Sequence, residues 1–149
     1  KMHYAVHGNT AAEIIVNRAN HKKEHMGLKN WKNSPNGKVI ASDVVVAKNY
    51  LTKEELKSLE RIVTMYLDYA EDQAERHIPM TMEDWKGKLD VFLQFNERDV
   101  LDNPGQVSHK VAKSFALSEF EKYRITQDKL FESDFDKFMI EMENEDISC

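Results

Sequence analysis

Apolar residues recur three or four positions apart along much of this chain, which is the spacing of one face of an α-helix. The longest such row follows Leu51 and runs through these positions: Leu56, Leu59, Val63, Tyr66, Leu67, Ala70 and Ala74. The same spacing recurs within residues 85–96 and 111–131. Only five Gly and three Pro occur in 149 residues. Because these residues interrupt helices, the pattern predicts long helices.

Three helices are predicted to begin at a capping box, in which a Thr is followed three residues later by an acidic residue. The boxes start at Thr10, Thr52 and Thr81. The Thr oxygen accepts a hydrogen bond from the third helical amide, and the acidic side chain accepts one from the amide of the Thr. The first of these helices should end near Asn20.

Other signals place the remaining helix ends. The chain before Gly8 is typical of the last turn of a helix, and Gly8 suits its left-handed end position. The helix that begins at the second box should end near His77, because Pro79 disfavours helical geometry in the residue before it. A long helix is predicted from Ser108 to about Phe138.

Residues 21–41, HKKEHMGLKNWKNSPNGKVIA, lack the helical spacing. Ser34-Pro35-Asn36-Gly37 is a strong turn signal, because Pro presets one dihedral angle and Asn-Gly accepts positive φ. Trp31 before the turn and Val39-Ile40 after it are consistent with either a small β-hairpin or an irregular ordered loop.

We therefore predict an all-α fold, a bundle of five or six helices with one small irregular or β-hairpin insertion near residues 27–41. A short helix over Val44–Tyr50, capped by Ser42-Asp43, is one of its elements. The length suits one domain with its own core, and we expect a single helical domain over residues 1–140. Residues 141–149 are acidic and terminal, so we expect them to fray.

The cysteine usage and the lengths of the apolar runs bear on the compartment. The single cysteine, Cys149, cannot form an internal disulfide, which favours a reducing environment. No apolar run approaches the roughly 18 residues that a membrane-spanning helix needs. We expect a cytoplasmic chain without a membrane partner.

Charge is divided unevenly along the chain. Residues 1–53 hold nine Lys and Arg against three Asp and Glu, whereas residues 54–149 hold twelve against twenty-three. In the basic part, lysines surround Trp31; they are Lys22, Lys23, Lys29, Lys32 and Lys38. Lysines beside a stacking aromatic suit contact with a nucleic-acid backbone. The alternative is an ordinary soluble loop that Trp31 anchors to the core.

Two pairs of histidines four residues apart, His3/His7 and His21/His25, are the strongest metal-ligand pattern in the chain. Neither pair has the glutamate of an H-E-x-x-H zinc site, and two lysines lie within the second pair. We therefore predict no metal site and no cofactor. His7 and Asn9 precede a predicted helix start, and because a helix N-terminus attracts anions, they are kept as weak catalytic candidates.

Four segments taken together resemble the virulence protein RhuM family. They are HYAVHGNTAAEIIVNRA, HMGLKNWKNSPNGKVIASDVVVAKNYL, MYLDYAEDQAERHIPMTMEDW and KSFALSEFEKYRI, and the likeness extends over residues 1–138. The resemblance implies a bacterial protein from a mobile element or prophage, in a family named for a gene on a pathogenicity island. It also implies a longer chain, whose N-terminal part is similar to phage-type DNA-binding regions and of which this is the C-terminal portion. It supplies no molecular function and no catalytic residue.

A partial likeness connects the chain with the Fic/Doc group, helical enzymes that transfer a nucleotide or phosphate group to a protein. Their motif is His-x-Phe-x-Asp/Glu-Gly-Asn-x-Arg, and His7-Gly8-Asn9 shares only fragments of it. The Phe, the acidic residue and the Arg are absent from this stretch.

Our leading hypothesis is a non-catalytic helical domain that serves assembly or regulation in a DNA-associated protein. It would form a homo-oligomer, or bind a protein partner, through a long helix such as 108–138. Nucleic acid would be contacted by the basic loop or by the N-terminal region of the longer chain. The alternative hypothesis is a Fic/Doc-like enzyme with a site at His7 and Asn9.

Overall fold

The structure, a computed structural model, describes residues 1–101, 103 and 105–147, with the backbone alone for residues 133 and 144–147. Its helices are α1 (Met2–His7), α2 (Ala11–Arg18), α3 (Ala41–Val44), α4 (Lys53–Glu75), α5 (Met82–Phe95) and α6 (His109–Ile147). Two 3-10 turns, Glu24–Gly27 and Ala47–Tyr50, flank α3. The described residues contain no strand. The all-α prediction is confirmed.

The local signals in the sequence place most helix ends correctly. All three capping boxes form, at Thr10, Thr52 and Thr81, each with both reciprocal hydrogen bonds. Gly8 ends α1 in the left-handed conformation, with φ 77°. The helix α4 ends at Glu75, close to the predicted end. These helix ends depend on residues at most a few positions apart, which is why the sequence alone predicts them.

The β-hairpin alternative for the insertion is wrong, and the loop is irregular. The backbone of Val39 makes its hydrogen bonds to the side chain of Gln127 on α6 instead of to a neighbouring strand. The Val39 amide donates to Gln127 Oε1 at 2.8 Å, and Gln127 Nε2 donates to the Val39 carbonyl at 3.0 Å. One side-chain amide thus supplies both partners that a strand would have supplied.

The predicted helix over Val44–Tyr50 is also wrong in its bounds. The helix α3 begins at Ala41, and a separate 3-10 turn covers Ala47–Tyr50. The carboxylate of Asp43 accepts hydrogen bonds from the amides of Ile40 at 2.9 Å and Lys32 at 3.2 Å. Asp43 therefore lies inside the first turn of α3, and its carboxylate accepts a hydrogen bond from Ile40, the residue that precedes the helix. For this reason the helix starts earlier than its apolar residues indicate.

The main core lies between α2, the loops around α3 and the first half of α6. From α6 it takes four residues, which are Ala112, Ala116, Phe120 and Tyr123. A smaller cluster of Ala5, Ile62 and Leu93 joins α1, α4 and α5. We call these packed parts together the body.

The helix α6 continues well past the predicted end at Phe138, to Ile147. We call residues 132–147 the distal segment, which at 1.5 Å per residue is roughly 24 Å long. The bounds of the domain, 1–140, and the fraying of residues 141–149 stay predictions.

Candidate functional site

His3 and His7 lie on one face of α1 and are hydrogen-bonded to each other. His3 Nδ1 and His7 Nε2 share a hydrogen bond of 3.2 Å. The Nδ1 atom of His7 is buried and has no hydrogen-bond partner among the described residues. Burial lowers the pKa of His7, and the opposing effect of the nearby Glu55 carboxylate is smaller. Burial also lowers the pKa of His3, so both rings are neutral near pH 7.

Arg18 and Glu55, whose charges act on the His7 ring, are paired with each other. Arg18 on α2 forms a bidentate ion pair with Glu55 on α4, with N···O distances of 2.6 and 2.8 Å. Arg18 also donates to the carbonyl of Tyr50 at 3.0 Å. The hydrogen bonds from Arg18 lower the pKa of Glu55 to about 2. This pair therefore links α2, the second 3-10 turn and α4, and the Arg18 guanidinium is engaged by Glu55 and Tyr50.

The helix start beside His7 is closed by the chain itself. The side chain of Asn9 donates to the carbonyl of His7 at 3.3 Å, which caps the end of α1. The capping box occupies the amides of Thr10 and Glu13, with N···O distances of 3.2 Å each. Gly105 packs against this box so closely that an added Cβ would lie 2.8 Å from a Thr10 methyl carbon.

His7 and Asn9 do not converge on a reactive position. A cleft of about 290 Å³ beside them is lined by neither His7 nor Asn9; its lining residues are Tyr4, Gly8, Glu13, Val100, Leu101, Asn103, Gly105 and Gln106. Over the described residues, no group of three or more His, Cys, Asp and Glu side chains is placed to hold a metal ion. The structure thus places Asn9 at the cap of α1 and His7 against His3, and a catalytic role for either stays a prediction.

The five lysines of the basic segment, Lys22, Lys23, Lys29, Lys32 and Lys38, are all exposed. Lys38 is tied to α6, because its Nζ lies 3.1 Å from Asp128 and 5.4 Å from the centre of the Phe131 ring. Lys29 lines a cleft of about 430 Å³ together with Lys48 and Lys53. The structure thus brings Lys29 together with two lysines that the sequence did not single out.

Trp31 is buried, unlike the five lysines of the basic segment. Its side chain is 6% exposed and belongs to the main core. Its indole nitrogen donates to the carbonyl of Gly37 at 2.9 Å, and its ring lies 4.4 Å from that of His25. The ring is therefore not available to stack on a base, and the structure favours the alternative in which Trp31 anchors the loop.

Apolar residues at the surface form a second kind of candidate site, between α4 and α5. A cleft of about 380 Å³ there is lined mostly by Met65, Tyr69, Val91, Phe92 and Phe95. Phe95 is 85% exposed.

The most extended apolar surface is on the distal segment. Phe131, Phe135, Phe138 and Met142 are four, three and four residues apart, so they form one row along α6, which we call the distal stripe. In steps of four it continues the buried row of Tyr123 and Gln127. From residue 132 to 143, every side chain that the structure describes is exposed. The stripe leaves the body at Phe131, and no described residue of this chain covers its remaining length.

Gln127 marks the boundary between the two halves of α6. It is 3% exposed and is one of the few buried polar residues of the described chain. The only sign of its role in the sequence is a polar residue within an otherwise apolar row. The spacing predicts that the face is buried, but it does not identify Val39 as the partner.

No helix in the described part of the chain is both long and apolar enough to cross a bilayer.

Comparison with known families supports the resemblance found in the sequence. The chain matches the model of the virulence protein RhuM family over residues 1–132. No curated protein matches it, and no solved structure does. The family match covers the body and stops at the beginning of the distal segment.

Proposed function

We propose that this chain, which belongs to the virulence protein RhuM family, is a non-catalytic assembly domain that pairs with another helix through the distal stripe. The observation that supports this most is the exposure of the stripe beyond the body. Phe135 is 61% exposed, Phe138 55% and Met142 47%. Contiguous exposed apolar surface of this kind marks interaction sites in soluble proteins.

The expected affinity is moderate. Burying a large apolar side chain contributes about 1.5–3 kcal/mol, and the stripe offers three such residues beyond the body. Association of two molecules costs about 4 kcal/mol or more in lost freedom of motion. Pairing through two copies of the stripe should therefore be detected at micromolar concentrations or above, and should depend strongly on each phenylalanine.

Sedimentation equilibrium tests this pairing. We expect an average mass above that of the monomer, rising with concentration up to about 100 µM, in about 0.5 M salt, where surface charges are screened. The double variant Phe135→Gln/Phe138→Gln should remain a monomer. The control Val91→Gln/Phe95→Gln changes two apolar residues of α5 that are at least as exposed and should associate like the unchanged chain. A strict monomer for the unchanged chain would overturn the proposal.

We further propose that the assembly acts in the cytoplasm as part of a DNA-associated protein, with the basic segment contacting nucleic acid. The cleft shared by Lys29, Lys48 and Lys53 supports this second role, because clustered exposed lysines suit phosphate groups. Trp31 has no part in it.

A gel-shift titration across salt concentrations tests the nucleic-acid contact. We expect weak, salt-sensitive binding of duplex DNA, and at least a severalfold loss for the triple variant Lys29→Ala/Lys48→Ala/Lys53→Ala. The control Lys86→Ala/Lys88→Ala/Lys113→Ala removes the same charge from α5 and α6. Equal losses in the two variants, or no binding at all, would remove this role.

A further inference from the structure

We propose that the partner of the distal stripe is an amphipathic helix with lysine or arginine beside its apolar row. This inference rests on the pairing proposed above and names the chemistry of the partner. It is carried by the side chains that flank the stripe on α6, because the flanking positions of paired helices set which partners are accepted.

The flanks of the distal stripe are acidic. At the positions directly beside the row lie Glu132, Asp134, Met139 and Glu141, and all four are exposed. Three of the four are carboxylates and none is basic. Over the described side chains, none of these carboxylates forms an ion pair, so their charge faces whatever covers the stripe.

The basic residues of this part of α6 do not lie beside the distal stripe. Lys129 and Lys137 are both exposed, but at 100° per residue they fall on the opposite side of the helix from the stripe. They cannot neutralise the flanks across an interface. The lysine that does approach this face, Lys38, contacts Asp128 and Phe131, at the edge of the body.

Two copies of the stripe would therefore repel each other at their flanks. In an antiparallel pair, Asp134 of one copy lies beside Glu141 of the other, so that carboxylates approach carboxylates. A partner with basic flanks reverses the sign of these interactions while it buries the same phenylalanines. Self-pairing is then the weaker mode, and it should strengthen when salt screens the repulsion.

A charge-reversed copy of the chain serves as the probe for this partner. The variant Glu132→Lys/Asp134→Lys/Glu141→Lys keeps the stripe and presents basic flanks. In about 0.1 M salt, we expect it to bind the unchanged chain at least about tenfold more tightly than the unchanged chain binds itself. Added salt should weaken this mixed complex and strengthen self-pairing. The measurement is fluorescence anisotropy of a labelled unchanged chain, with circular dichroism to confirm that each variant is helical.

Two further variants separate the alternatives. The control Asp68→Lys/Glu71→Lys/Glu75→Lys makes the same change of net charge on α4, and we expect it to bind no more tightly than the unchanged chain. Adding Phe135→Gln/Phe138→Gln to the charge-reversed copy should abolish the mixed complex.

The outcomes distinguish the two proposals. If self-pairing requires the phenylalanines but is equally tight in low and high salt, the second copy is the preferred partner and the inference of a basic partner is overturned. The same holds if the α4 control binds as tightly as the charge-reversed copy. If the phenylalanine variant changes neither self-pairing nor the mixed complex, the proposed function itself fails.

Discussion

Replacing Trp31 with alanine is expected to lower the free energy of unfolding by about 3–5 kcal/mol, the cost of truncating a large buried aromatic side chain. Trp31 is 6% exposed, and its ring nitrogen is hydrogen-bonded to Gly37. The variant loses the apolar contacts of the ring and also the bond that closes the irregular loop. Urea unfolding followed by circular dichroism measures the change.

A matched tryptophan variant makes this expectation specific. Trp85 on α5 is only partly buried, so Trp85→Ala should cost distinctly less than Trp31→Ala. If Trp31→Ala instead left stability within about 0.5 kcal/mol of the unchanged chain, as surface substitutions do, the anchoring role would be wrong. Stacking of the Trp31 ring on a nucleic-acid base would then be the favoured alternative.

Replacing Gln127 with alanine is expected to lower the free energy of unfolding by about 2–6 kcal/mol. The reason is that both backbone groups of Val39 would be left buried without partners, at about 1–3 kcal/mol for each group. Val39 itself is 2% exposed, so water does not readily replace the lost amide. Denaturant unfolding gives the free energy, and hydrogen exchange of the Val39 amide reports the broken bond directly.

Gln94→Ala supplies the control for this experiment. Gln94 lies on the exposed side of α5, and its truncation should change stability by less than about 0.5 kcal/mol. An unchanged exchange rate of the Val39 amide in Gln127→Ala would show that the hydrogen bonds between Gln127 and Val39 do not hold the loop.

A feature of this fold can be predicted from the sequence when the residues that determine it lie close together along the chain. The capping boxes at Thr10, Thr52 and Thr81 need only residues three positions apart, and all three form as predicted. The shape of the insertion depends on Gln127, which is 88 residues from Val39. No local pattern contains such a pairing, and for this reason the β-hairpin alternative could not be excluded in advance.

The candidate sites, like the fold, combine features that nearby residues determine with features that depend on distant parts of the chain. His7 and Asn9 precede a helix start, but the hydrogen bond from Asn9 to the His7 carbonyl and the packing of Gly105 against Thr10 are visible only in three dimensions. Helical spacing identified α6 correctly and yet could not distinguish its two halves. Phe120 and Phe135 occupy similar positions in the pattern, but Phe120 is 7% exposed and Phe135 is 61% exposed. The difference is whether another part of the chain lies opposite.

Concentration-dependent hydrogen–deuterium exchange tests the central claim, that the distal stripe is the surface through which the molecules pair. In about 0.5 M salt, we predict that the amides of residues 132–143 exchange more slowly in concentrated than in dilute samples, while those of α5 are unchanged. The same experiment on Phe135→Gln/Phe138→Gln should show no difference between the two concentrations. Protection that appears on α5 instead of the distal segment, or on neither, would contradict the account.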